Sequence, residues 1–228
     1  MVRLGIWEAV LLAGLCIPAS AGTVILQDGN VQAQVTSWRE LRFSRVVPQQ
    51  FDFSCGSAAV ATLLSFSYER PTSERAPFLE MYTQGRQDVI RKVGFSLLDM
   101  RNYLAEKGYE AQGFRADLDT VARIGLPAIV LITTGTYHHF VVLRGIRGDR
   151  VLIADPSRGL RGVPRNAFEA MWTGVLLLVR NHVDAGKKRF NDPADWALVP
   201  QAPLGRGLDD QRRFLSDIFL DLPLANEF

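Results

Sequence analysis

The sequence is poor in the residues that most often carry catalysis and cross-links, with 2 cysteines and 3 histidines in 228 positions. It also lacks a charge bias. Its 26 basic and 24 acidic side chains are interleaved and leave a formal charge of +2, which gives no electrostatic reason to invoke nucleic acid or a membrane surface as partner. There is no internal repeat and no low-complexity segment, and 47% hydrophobic residues exclude general disorder. A chain of this length supports one well-cored domain with an appendage.

The apolar stretch from Leu4 to Ile17 is too short and too interrupted for a good transmembrane helix, and Glu8 lies inside it. With Arg3 ahead of it and Ala19-Ser20-Ala21 behind, it reads as a secretory signal over residues 1–21 that is cleaved after Ala21. The mature chain is then expected to carry no integral membrane segment and to have lost Cys16. Cys55 is left as its one thiol. No intramolecular disulfide is open to it in an oxidising compartment, and an unpaired exported thiol invites a functional explanation.

Cys55 stands at a marked transition. The polar stretch Gln49-Gln50-Phe51-Asp52-Phe53-Ser54 gives way to Cys55-Gly56-Ser57-Ala58-Ala59 and then Ala61, Leu63 and Leu64, a run without proline that predicts a buried helix starting at or just before the cysteine. Many lone cysteines are simply buried apolar residues. At a helix N-terminus, however, free N–H groups and the helix dipole favour the thiolate, which is the reactive form. Gln49, on the loop before the helix, carries an amide that folding back would bring to an oxyanion beside the sulfur.

The remaining pattern predicts an α+β fold. A lead-in over residues 22–44 contains a hairpin around Asp28-Gly29-Asn30. Helices follow, one from about Pro71 to Gln84 and one capped by Ser96 with Leu97, Met100, Tyr103 and Leu104 on one face. Strands then dominate: Tyr109 to Phe114, Ala128 to Ile132, a hairpin from His138 through Arg147-Gly148-Asp149 to Asp155, and Val175 to Val179. Short helices are expected at Leu118 to Arg123 and Arg165 to Trp172. The domain is expected over residues 45–182, and residues 183–228 read as a polar, proline-bearing linker with an amphipathic helix at about Asp209 to Leu220.

Cysteine catalysis needs a base and a group that orients the base. His182 follows the last strand and reads as a surface residue. His138 and His139 are strand neighbours facing opposite sides, so only one can point at Cys55. Asp155 ends the apolar row Val151, Ile153 on the partner strand; it is either a turn residue before Pro156 or the orienting carboxylate.

Gln49, Cys55-Gly56, Ala58-Ala59, His139-Phe140-Val141-Val142 and Asp155-Pro156, in this order and spacing over roughly residues 45–180, resemble the C39 family of papain-like, bacteriocin-processing peptidases. The resemblance implies a papain-like fold of N-terminal helices on an antiparallel sheet, with Cys55 as nucleophile, His139 as base, Asp155 as orienting residue and Gln49 as oxyanion donor. It implies no metal or organic cofactor, and cleavage after a double-glycine-like site. The chain has neither the membrane-spanning region nor the Gly-Lys-Ser/Thr loop of the family's exporters. It is most similar to the stand-alone, periplasmic type encoded with functional-amyloid secretion genes. Its expected partner is a peptide or protein substrate, with amyloid subunits and secretion components as candidates. Two alternatives stay open at this level: an inactive C39-like binding module and an acyl transferase.

Overall fold

A computed structural model of the chain describes residues 22–25 and 32–199. The signal over residues 1–21 and the helix at about 209–220 lie outside the described residues. The chain divides into two units, Met1–Leu41 and Arg42–Phe228. In the first, β1 (Gly22–Ile25) and β2 (Gln32–Val35) pair antiparallel with Gly22 opposite Val35, and α1 (Trp38–Phe43) begins near its end. Ser37 and Glu40 cap α1 reciprocally, each side chain accepting from the other's backbone N–H.

The second unit runs α2 (Cys55–Ser67), α3 (Arg75–Gln84), α4 (Gln87–Val93), α5 (Leu97–Glu106), β3 (Ala111–Arg115), α6 (Leu118–Ile124), β4 (Ala128–Thr134), β5 (Tyr137–Arg147), β6 (Arg150–Asp155), β7 (Gly159–Pro164), α7 (Arg165–Met171), β8 (Trp172–Val179), α8 (Val183–Arg189) and α9 (Pro193–Ala197). The six strands β3 to β8 form one antiparallel sheet in the order β3-β8-β4-β5-β6-β7. The fold is the expected α+β arrangement. α2 is buried nearly all round because Ala58, Ala59 and Ala61 let neighbours approach its backbone while Leu63 and Leu64 fill the space beyond. α5 starts where Ser96 and Asp99 form a capping box.

Strand alternation splits the core. Ile129, Phe140, Val142, Leu152 and Ala154 pack with α2, α3 and α5, whereas Val130, Val141, Leu143, Val151 and Ile153 pack with Leu118 and Val121 of α6 and Phe168 of α7. A bulge in β5 changes the phase. Leu143 pairs with Ile153 and Gly145 with Leu152, which leaves Arg144 as the extra residue. Past the bulge the even residue Ile146 takes the place that odd residues hold before it.

Where a linker is expected after residue 182, the chain instead forms α8 and α9, which pack onto the body. Trp196 and Val199 enter the α2-side core, and Asp195 is fully buried against Arg144, Nη2 to Oδ2 2.7 Å. Arg144 also donates to the Arg45 and Phe66 carbonyls at 3.3 and 3.0 Å. Burial pushes the Asp195 carboxyl up, ahead of the opposing pull of Arg144, and pushes Arg144 down. Neither Asp195 oxygen accepts a well-aligned hydrogen bond. Desolvation therefore dominates this pair, and its worth lies in the penalty for breaking it. Asp195→Ala is expected to lower the unfolding free energy by about 3–5 kcal/mol in denaturant titration, and Arg144→Met with Asp195→Leu to restore most of it.

Candidate active site

Three segments meet at one end of the sheet. The loop before α2 is tied to the turn after β6 by Gln49 N–H donating to the Pro156 carbonyl at 3.1 Å. It is tied to the start of β5 by the Tyr137 hydroxyl, which donates to the Asp52 carbonyl at 3.2 Å. Ser54 closes the loop with its hydroxyl on the Phe51 backbone, accepting from N–H at 3.1 Å and donating to the carbonyl at 3.0 Å. Cys55 is then the first residue of α2, a free thiol and 6% exposed.

His139 lies in β5 and Asp155 at the end of β6, each continuing a row on the same face of the sheet, Val141 and Leu143 for one and Val151 and Ile153 for the other. The Nε2–H of His139 donates to Asp155 Oδ1 at 2.8 Å, an assignment fixed by the carboxylate, which can only accept. Asp155 is 1% exposed and its charge is fully engaged. Oδ1 also accepts from Ser157 N–H at 2.9 Å and Ser157 Oγ at 2.7 Å, and Oδ2 accepts from Arg161 Nη2 at 3.0 Å. The other imidazole nitrogen, Nδ1, is buried and makes no well-aligned hydrogen bond. It is the nitrogen left to serve the Cys55 sulfur, with which the imidazole interacts.

Burial would lower the His139 pKa, but the hydrogen bonds and charges of Asp155 and Cys55 outweigh it and raise the value from 6.5 to about 9. For Asp155 burial acts upward, and the His139 and Ser157 contacts hold the carboxyl well below the usual carboxylate range.

The structure thus brings Cys55, His139 and Asp155 together, with Gln49 on the adjoining loop. One amide N–H of Gln49 donates to the Phe51 carbonyl at 3.0 Å. His138 bonds Thr133 Oγ1 through Nδ1 at 3.0 Å, and His182 is exposed at the start of α8 against the Tyr109 ring. Ser157, Arg161 and Tyr137 were not signalled by the sequence. An Asp-Pro-Ser turn hints at Ser157, but Arg161 depends on a strand, β7, that its glycines conceal. A cleft of about 460 Å³ opens on Cys55 between Asp52 and Phe53, the turn at Thr136 to His138, and the end of α4 from Arg91 to Gly94. Among the described residues no cluster of histidine, cysteine, aspartate and glutamate could hold a metal ion, and no helix is long and apolar enough to cross a membrane.

A cysteine at a helix start beside an imidazole held by a carboxylate is the arrangement of a papain-like cysteine peptidase, and the chain belongs to the Peptidase C39 family, whose model matches residues 44–184. It is 37% identical over 192 residues to the probable functional amyloid protease FapD of Pseudomonas aeruginosa, covering 84% of this chain and 80% of that one. The FapD of Pseudomonas fluorescens is also 37% identical, over 86% of this chain and 84% of its own. The peptidase domain of Streptococcus ComA, a bifunctional ABC transporter involved in quorum sensing, shares the fold with a TM-score of 0.52 and 22% identity over 59% of this chain and 97% of that domain.

Because the folded pKa of His139 exceeds its ordinary 6.5, its contribution to stability is complete below that value and is lost as pH rises through about 9. NMR titration of the folded protein is expected to show the His139 ring changing near pH 9, and Asp155→Asn to move the midpoint down towards 6.5.

Proposed function

We propose that this cysteine peptidase cleaves a peptide bond after a double-glycine-like site in an exported protein of functional-amyloid biogenesis, and that it works in the periplasm. The observation that carries the catalytic roles is the His139 imidazole, bound to Asp155 through Nε2 and interacting with Cys55, with its buried Nδ1 in no other hydrogen bond. Cys55 attacks the scissile carbonyl as the thiolate. His139 Nδ1–H protonates the departing amine, leaving a thioester; the imidazole then takes a proton from water, whose hydroxide attacks the thioester, releases the acid and restores the Cys55 thiolate beside the His139 imidazolium. Asp155 holds the tautomer and the ring. The second amide N–H of Gln49 donates to the tetrahedral oxyanion.

The substrate class is supported by the 37% identity to two probable functional amyloid proteases. The preference for a double-glycine-like site rests on membership of the Peptidase C39 family, whose model matches residues 44–184. Signal-peptide export rests on the sequence pattern of residues 1–21.

Co-expressed with a candidate amyloid subunit, the wild-type chain is expected to yield a product whose intact mass ends at a pair of small residues, and Cys55→Ala to leave the subunit uncut. Identical masses with the two forms would overturn the reading. Gln49→Ala is expected to lower kcat by about 10²- to 10³-fold, the usual effect of removing one oxyanion donor.

A further inference from the structure

Tyr137 is 49% exposed at the first position of β5, yet each end of its side chain is committed. Its ring stacks on the His139 ring, with centroids 5.7 Å apart and planes inclined by 26°. Its hydroxyl reaches across to the loop before α2 and donates to the Asp52 carbonyl, three residues before Cys55, at 3.2 Å. The Gln49 amide lies against the same hydroxyl, and Tyr137 lines the cleft that opens on Cys55. One side chain therefore touches the base, the oxyanion loop and the substrate channel.

Both contacts have a physical consequence. An aromatic face on an imidazolium is attractive and excludes water from the hydrogen bond behind it, which a low local dielectric strengthens. The tether spans two separate chain segments, so the orientation of the oxyanion loop relative to β5 depends on it. Burial, and then the negative charges of Cys55 and Asp52, push the hydroxyl ionisation up, so the group remains a donor.

We propose that Tyr137 is a positioning residue for the peptidase reaction: its ring shields the His139–Asp155 hydrogen bond from water, and its hydroxyl fixes the loop that carries Gln49. The proposal rests on the roles given above to His139 and Gln49. It separates the two halves of the side chain, and two substitutions separate them in experiment. Tyr137→Phe retains the ring and removes the tether; Tyr137→Leu removes both.

The shielded His139 Nε2–H is expected to give a downfield proton signal in NMR spectra of the wild-type protein, slow to exchange with water, that persists in Tyr137→Phe and disappears in Tyr137→Leu. Tyr137→Phe is expected to lower kcat/KM by about 3- to 10-fold, the size of one neutral hydrogen bond. In a Gln49→Ala background it should cause no further loss, because the loop then has no donor to hold. Tyr137→Leu is expected to lower kcat more than Tyr137→Phe does. Retention of the signal in Tyr137→Leu overturns the shielding role, and full additivity of Tyr137→Phe with Gln49→Ala overturns the tether. The signal is read without substrate, so it tests the shield even if Cys55→Ala were to leave processing intact, a result that would instead sink the peptidase roles on which the tether depends.

Discussion

The buried charge of Asp155 is the constraint on which the site depends. A carboxylate removed from water needs its lone pairs engaged, and the elements near the site supply what is required. The turn after β6 folds so that both the N–H and the hydroxyl of Ser157 reach Oδ1, β7 returns alongside to bring Arg161 to Oδ2, and His139 is left with one orientation in which its Nε2–H completes the set. The same turn presents the Pro156 carbonyl to Gln49, so the anchor of the base and the loop before α2 share one piece of backbone. Fixing the proton on Nε2 is what turns Nδ1 towards the thiol.

Much of this could be read before any coordinates. The small-residue run after Ser54 could only be a helix packed closely by its neighbours, so the first turn of that helix had to carry Cys55. The capping pair Ser96 and Asp99 and the apolar runs of β4 and β5 were likewise legible, because each depends on local chemistry. The hairpin around Gly148 put Asp155 within reach of the His138-His139 pair and the family resemblance chose His139, while the bulge at Arg144 displaces the register by one residue; an arginine in a strand gives no sign that it is the surplus one.

What was hidden depends on distant partners. Gly159, Gly162 and Pro164 give no strand signal, and only pairing with β6 makes that segment a strand and Arg161 a ligand of the buried carboxylate. Residues 183–199 carry two lysines, an arginine and a proline that suggest a linker, yet Asp195 meets Arg144 from a strand about 50 positions earlier and Trp196 covers the α2 side of the core. Tyr137 fell just before the expected strand, and nothing marked it because its three neighbours, His139, Asp52 and Gln49, come from two segments far apart in sequence.

The order of the sheet has one more consequence, for the company the protein keeps. β3 and β7 are its outer strands, and an open strand edge is a template on which an extended peptide can add. Here both are short. β3 contains a glycine and ends in arginine, and β7 contains Gly159, Gly162 and Pro164 with Arg161 between them, so neither offers a long, flat, apolar row of unpaired backbone. Among the described residues, this sheet therefore gives the proposed substrates, themselves prone to cross-β stacking, no long free edge to extend.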